Sequence, residues 1–552
     1  MPKAKKATYK NIDVIRHKDK RTNIPTEELK GFVEKEEESP KKLLYPRDPS
    51  LDPQLVWKGK DEQDSQDLEV PAVPIYIQEK IHPKHIIEDM RAQAKEGKPA
   101  QLELFADFNG LEFEELVEFY KHEQRWTNRM ILGDSLLVMT SLAEKERLKG
   151  KVQMIYIDPP YGIKFGSNWQ VSTRKRDVKD GAAGDTTRQP EQIKAFRDTW
   201  KLGIHSYLSY LRDRLVIARD LLTETGSVFI QIGDENVHLV QCLMDEVFGS
   251  ENHISTIRFM KTSGFASDYL DNICDHILWY SKSKEQTKYR QLYEAKFIGS
   301  QRADTYTHVL LPTGKIRTIT PKEKFDATLL DSGNRVFAVG DLTSQGASSN
   351  QQPFKFEGQI YHPGPNLHWK AKWPEGMNRL AIARRIIKRE RGGLAYVRFI
   401  DDFPATPLNN IWTDTSSSFS ERFYVVQTTP TVVARCLLMT TDPGDLVLDP
   451  TCGGGTTAYV AEQWGRRWIT IDTSRVALAL ARTRLMSAKF PYYLMSDSPD
   501  GVKKESEITG RTPPEYKTEN DIRKGFVYER VSHITLKSIS NNSDIKEGMS
   551  RK

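Results

Sequence analysis

The sequence predicts an α/β fold: a mostly parallel sheet with helices on both faces, divided by a central insert. Three observations predict it. Short continuous apolar runs recur, namely MILGD (130–134), KVQMIYID (151–158), GSVFIQIGDE (226–235), DLVLD (445–449) and RWITID (467–472). Runs of that length and apolarity suit strands buried on both faces of a sheet. Segments with helical spacing alternate with these runs, which is the pattern of βαβ units. Between about 285 and 410 the alternation fades into a segment rich in aromatics, glycine and proline, and it returns beyond 410.

Taken in order, residues 1–50 carry charge and turn formers (KAKK, RHKDKR, EKEEE, SPKK) and few apolar residues, so they read as a flexible arm. The spacing of LEFEELVEFY (111–120) predicts a packed helix. MILGD reads as a strand and a turn, and SLLVMTSLAEKERLK (135–149) as a helix. KVQMIYID is a strand stopped by Pro-Pro-Tyr. Residues 162–198 are polar and read as a long loop. A helix is expected over 200–222, a strand over 226–235 and a helix over 236–249. STIRFMK and HILWYSKS give two further strands. Past the insert come a helix over 427–441, the strand DLVLD, a glycine turn, a helix over 456–464, the strand RWITID and a helix over 474–486. The expected units are therefore an N-terminal extension (1–125), a first half-domain (126–283), the insert (284–410), a second half-domain (411–490) and a polar, loosely structured tail (491–552).

Composition narrows the class. The chain has 552 residues, 38% of them hydrophobic, enough for two or three globular units. A net charge of +6 permits a polyanionic partner without requiring one. The four cysteines, Cys242, Cys274, Cys436 and Cys452, form no CxxC pair and no zinc-ligand spacing. A disulfide framework and a metal site are therefore not expected, and a reducing cytoplasm is. No apolar stretch approaches the ~20 residues that span a bilayer, and the first ten residues lack the apolar core of a signal peptide.

Two turns carry chemistry. Asp158, Pro159, Pro160 and Tyr161 close a buried strand, at the sheet edge where open α/β folds bind ligands. An exocyclic amine is a poor nucleophile because its lone pair is delocalised into the ring. A carboxylate from Asp158 and the carbonyl of Pro159 would accept its two N–H bonds and favour a pyramidal nitrogen. The prolines stiffen the turn, and Tyr161 offers a face on which an extruded base stacks. The second turn runs Asp449-Pro450-Thr451-Cys452-Gly453-Gly454-Gly455-Thr456-Thr457, between a strand and a helix. Its glycines allow close backbone approach to a ligand. Asp472 ends the following strand, where an acid accepts ribose hydroxyls in nucleotide folds. No Gly-Lys-Ser/Thr is present, so this is not a phosphate loop. Asp134 reads either as a contact to the cofactor's adenine or as the N-cap of the helix beginning at Ser135.

With these motifs in that order, the chain resembles the β-class amino DNA methyltransferases, and most of all the modification subunit of type III restriction–modification systems. The resemblance covers about residues 126–490. It implies a Rossmann-like, circularly permuted methyltransferase sheet binding S-adenosyl-L-methionine, with the insert as target-recognition domain. It implies catalysis by Asp158–Tyr161 and cofactor contacts from Asp449, Thr451, Cys452, Gly453, Gly455, Thr456, Asp472, Asp134 and Gln427. Gln427-Thr428-Thr429-Pro430 is similar to the family segment that helps hold the methionine end. The chain departs from the family where Thr451 replaces an aromatic residue, Gly454 a serine and Thr428 a lysine.

The expected partner is double-stranded DNA. The candidate contacts are Lys164, Arg174, Lys175 and Arg176 on the loop after the catalytic turn, and Arg384, Arg385, Lys388 and Arg389 on a basic helix within 379–393. The competing reading of both stretches is a solvated charged surface. Asp at the head of the motif favours N6 of adenine, since related cytosine enzymes often carry Ser there. N4-cytosine methylation, methylation of RNA or a protein glutamine, and a non-catalytic subunit guiding a nuclease are the alternatives. A homodimer and a separate nuclease subunit follow from the resemblance alone.

Overall fold

The fold is that of a computed structural model, which describes residues 55–65, 68, 70, 77–81, 128–160, 203–261, 270–300, 303–346, 351–390, 392–416, 428–512 and 517–546. A short helix α1 (Lys60–Asp64) precedes strand β1 (Ile77–Ile81). Then follow β2 (Asn128–Leu132), α2 (Ser135–Glu144), β3 (Val152–Ile157), α3 (Ile204–Leu221), β4 (Leu222–Ile232), α4 (Val237–Phe248), β5 (His253–Met260) and β6 (Cys274–Ser281). The insert contributes β7 (Tyr293–Ala295), β8 (His308–Leu310), β9 (Ile316–Thr318), α5 (Pro321–Phe325), β10 (Arg335–Asp341) and β11 (Thr343–Gln345). It continues with β12 (Phe354–Phe356), β13 (Gln359–Tyr361), β14 (Leu367–Trp369), α6 (Glu375–Ile382), β15 (Ile386–Lys388), β16 (Leu394–Phe399) and β17 (Ala405–Pro407). The chain then returns through β18 (Ile411–Trp412), α7 (Pro430–Thr440), β19 (Leu446–Asp449), α8 (Thr456–Gln463), β20 (Arg467–Asp472) and α9 (Arg475–Ser487). It ends with α10 (Pro499–Thr509) and α11 (Leu536–Ser540).

The main sheet has the order β1-β2-β20-β19-β3-β4-β6-β5-β18. The run β2-β20-β19-β3-β4 is parallel throughout, and β1 and β6 are antiparallel to their neighbours. Strands from both ends of the chain thus alternate in one sheet. Helices α2, α3 and α4 cover one face over Ile131, Ile155, Ile157, Val228 and Ile230. Helices α7, α8 and α9 cover the other over Met154, Tyr156, Phe229, Val447 and Trp468. Burial on both faces is why β3 reads as an apolar run interrupted only by Gln153, whose amide donates to Thr225 O and Thr440 O.

The insert is a small β unit with its own core, centred on Trp369, Met377, Leu380 and Tyr396. Its five-stranded sheet has the order β15-β16-β10-β8-β9. Two sequence expectations need correction. The basic stretch 379–393 is not one helix: α6 ends at Ile382, Arg384 takes φ 55°, and residues 386–388 form β15 against β16. The described residues of the tail are not loose. Phe526 is buried near Gly465, and Val527 N donates to Leu494 O at 2.8 Å. Farther on, α11 packs on α6, where Ile539 joins the insert core and Arg379 donates to Ser540 O at 2.8 Å. The tail therefore touches both the second half-domain and the insert. The helix expected over 111–120 lies outside the described residues.

Candidate functional site

The C-terminal ends of β3, β19 and β20 lie side by side. Parallel pairing aligns Leu448 with Ile155 and Asp449 with Thr470. The turns that follow β3 and β19 consequently meet: Asp158 N donates to Thr451 Oγ1 at 2.8 Å. Thr451 Oγ1 in turn donates to Asp449 Oδ1 at 3.1 Å, and Thr451 N reaches the same oxygen at 2.9 Å. Residues almost 300 positions apart in sequence thus share one hydrogen-bonded cluster at the ligand-binding edge. Thr428 closes it from a third side, with Oγ1 2.9 Å from Asp158 Oδ2. Pro159 and Pro160 follow directly, Pro159 being buried. Tyr161 and Gln427 lie outside the described residues.

The glycine turn is held from below. Gly453 N donates to Asp472 Oδ2 at 2.9 Å, and Ser474 N to Asp472 Oδ1 at 2.8 Å. Gly455 takes φ 70°, and a Cβ there would lie 2.6 Å from Ala481 Cβ. Only glycine lets the turn lie this close to α9. Cys452 is buried, with a thiol pushed up strongly by desolvation, and it packs in the core rather than acting as a nucleophile. Thr456 begins α8. Arg484 reaches both its hydroxyl (2.9 Å) and Gly454 O (3.0 Å) from α9. Sequence reasoning missed Arg484, although a signal exists: it is the lone arginine on the otherwise apolar face formed by Ala477, Leu478, Ala481 and Leu485.

Desolvation pushes the carboxyls of Asp449 and Asp472 up to about 6. Neither carboxylate forms an ion pair among the described residues. Two desolvated acids at the mouth of a glycine turn suit a ligand that brings positive charge and hydroxyl donors. That is the chemistry of a sulfonium nucleoside, so the residues fit S-adenosylmethionine.

Asp134 is placed as an N-cap. Its Oδ1 accepts from Leu136 N at 2.9 Å, and its Oδ2 pairs with Arg214 at 2.6 Å. Arg214 also donates to Ser135 and stacks 3.4 Å above the Tyr210 ring. The strand before Asp134 does adjoin that of Asp472, with Leu132 opposite Asp472. The two readings of Asp134 are thus compatible in space.

The basic candidates separate. Arg385 is buried, and its guanidinium grips Asp402 at 2.5 and 2.7 Å. It is an internal structural pair and is withdrawn as a DNA contact. Arg384 is exposed; Lys388 pairs with Glu357 at 3.1 Å and Arg389 with Asp341, all at the surface. Lys164, Arg174, Lys175 and Arg176 lie outside the described residues.

Comparison with known proteins decides the family. Residues 152–483, more than half of the chain, match the family of N6 and N4 methyltransferases described as DNA methylase. The chain belongs to this DNA methylase family. S-adenosylmethionine is the cofactor that this membership gives it. The type II methyltransferase M.EcaI of Enterobacter cloacae is 24% identical over 372 residues, 66% of this chain and 70% of that protein. The StyLTI Mod subunit, a type III restriction-modification enzyme of Salmonella typhimurium, is 24% identical over 377 residues, 64% of this chain and 53% of that one. This chain therefore spans about half the length of that type III relative. A crystal structure of an M1.HpyAVI–SAM complex is 12% identical with a TM-score of 0.31, covering 64% of this chain and 98% of that one. Among the described residues, no helix of this DNA methylase is long and apolar enough to cross a membrane.

Proposed function

We propose that the chain transfers the methyl group of S-adenosylmethionine to N6 of adenine in duplex DNA, as the modification subunit of a restriction–modification system. One observation carries the reading: the bond from Asp158 N to Thr451 Oγ1, which sets the acceptor turn against the cofactor turn. The target nitrogen attacks the methyl carbon as the C–S bond breaks, S-adenosylhomocysteine leaves with the bond's electron pair, and the methylated nitrogen releases one proton to solvent. Asp158 and the Pro159 carbonyl orient the amine, so the enzyme's share is alignment and charge stabilisation. The amine is out of reach in a duplex, so the base is flipped out at a cost of a few kcal/mol. Asp at the head of the motif favours adenine over cytosine.

The insert reads the DNA, with Arg384, Lys388 and Arg389 as phosphate contacts on its surface and the Lys- and Arg-rich sequence after Tyr161 as a second source of cations. Surface pairs such as Lys388–Glu357 are weak and exchange readily for phosphate. The resemblance to type III modification subunits supports a separate nuclease partner, a homodimer and a cytoplasmic site of action. The test is Asp158→Ala. It should leave S-adenosylmethionine affinity within about threefold and lower methyl transfer to duplex DNA by about 10³-fold or more. Near-normal turnover in the variant would remove Asp158 from its role.

A further inference from the structure

Thr428 Oγ1 lies between two acceptors, 2.9 Å from Asp158 Oδ2 and 3.0 Å from Gln231 Oε1. A hydroxyl has one proton to donate. Gln231 Oε1 already accepts the buried Tyr156 hydroxyl at 2.7 Å, and an ionised carboxylate is the stronger acceptor. The proton of Thr428 therefore goes to Asp158. On the opposite side, Thr451 Oγ1 accepts from Asp158 N at 2.8 Å and donates to Asp449. Asp158 is thus held at its backbone by one threonine and at its carboxylate by another.

We propose that Thr428 is a positioning residue for methyl transfer, fixing the rotation of the Asp158 carboxylate. The terminal torsion of an aspartate is broad and roughly two-fold, so each hydrogen bond to the carboxylate narrows the range of its plane. Accepting an N–H bond from the target amine requires a particular orientation of that plane. A misplacement near 1 Å at a reacting centre costs up to about 10²-fold in rate. Gln231 and Tyr156 rise from β4 and β3 inside the sheet and are buried, so they limit sterically the space into which the Thr428 side chain could turn. The inference rests on the reading of Asp158 as the amine's acceptor.

Thr428→Val removes the hydroxyl at nearly constant shape, Thr428→Ser restores it, and Asp158→Ala serves as the reference. Each protein is titrated with S-adenosylmethionine and then assayed in a single turnover on unmethylated genomic duplex DNA. The expected result for Thr428→Val is cofactor affinity within about twofold of the parent and a methyl-transfer rate about 10- to 100-fold lower. Thr428→Ser should return to within about threefold of the parent. A Thr428→Val protein with parental rate beside an inactive Asp158→Ala protein overturns the role of Thr428 alone. Loss of cofactor binding in the Val variant, or no recovery in the Ser variant, overturns it as well. An active Asp158→Ala protein overturns the underlying reading of Asp158 instead.

Discussion

Gly455→Ala is the substitution with the best-defined cost at the cofactor turn. Residue 455 sits at φ 70° just before α8. An alanine in the left-handed region costs about 1–2 kcal/mol. The new methyl would also lie 2.6 Å from Ala481 Cβ and 3.1 Å from Ala481 Cα, below any ordinary contact. Ala481 is fully buried on α9 and cannot retreat, and overpacking of this kind costs about 1–3 kcal/mol. The total is about 2–5 kcal/mol. At about 1.4 kcal/mol per decade, the lower end weakens S-adenosylmethionine binding by about 30-fold if the turn escapes the clash by leaving its binding shape. Calorimetric titration with the cofactor measures this, with thermal unfolding recorded in parallel. Gly393→Ala is the control: it has φ 85° and nothing within 4 Å of the added methyl, so it carries strain without a clash. Its cofactor affinity should match the parent. A Gly455→Ala protein with affinity within threefold of the parent and an unchanged unfolding temperature would refute the close approach of the turn to α9.

Two more outcomes follow. Arg385→Met leaves Asp402 buried without its guanidinium partner, a change that costs about 3–5 kcal/mol. The insert should unfold earlier in denaturant, whereas Arg384→Met should leave stability unchanged and weaken DNA binding with a shallower salt dependence. Equal destabilisation by both would contradict the assignment of one to the interior and the other to the surface. The carboxyls of Asp449 and Asp472 stand near 6 rather than 3.8 because of desolvation. The penalty for ionising them is therefore absent below about pH 3.8, grows as pH rises from there to about 6, and is constant above that. A cationic cofactor binds the ionised pair, so its affinity should rise from pH 5 to pH 7, by up to about tenfold per unit for each group. Titrations at pH 5, 6 and 7 check this, and a flat or falling trend would contradict it.

The main sheet was legible because its central strands are buried on both faces, which leaves largely apolar runs such as residues 152–157. The two turns were legible because their residue types are dictated by geometry: prolines after Asp158, glycines before α8. The insert was not. Among its described residues, nine of eleven strands have only three residues, too short for an alternating pattern to register. The stretch 379–393 misled because it is dense in strong helix formers (Arg, Leu, Ala, Lys and Glu), while the turn at Arg384 depends on β15 pairing with β16. Arg385 looked like a surface cation because its partner Asp402 lies beyond an intervening strand. Thr428 stood out in the sequence only as a departure from a pattern. Its bond to Asp158 appears once the strands are ordered in space.

The most direct measurement is the identity of the methylated nucleoside. Unmethylated duplex DNA is incubated with the protein and S-adenosylmethionine carrying a labelled methyl group, then digested to nucleosides and separated. Label in N6-methyldeoxyadenosine is the predicted result. Label in N4-methyldeoxycytidine would contradict the choice of base, and label in no nucleoside would contradict a methyl-transfer site built from the turns of Asp158 and Gly453.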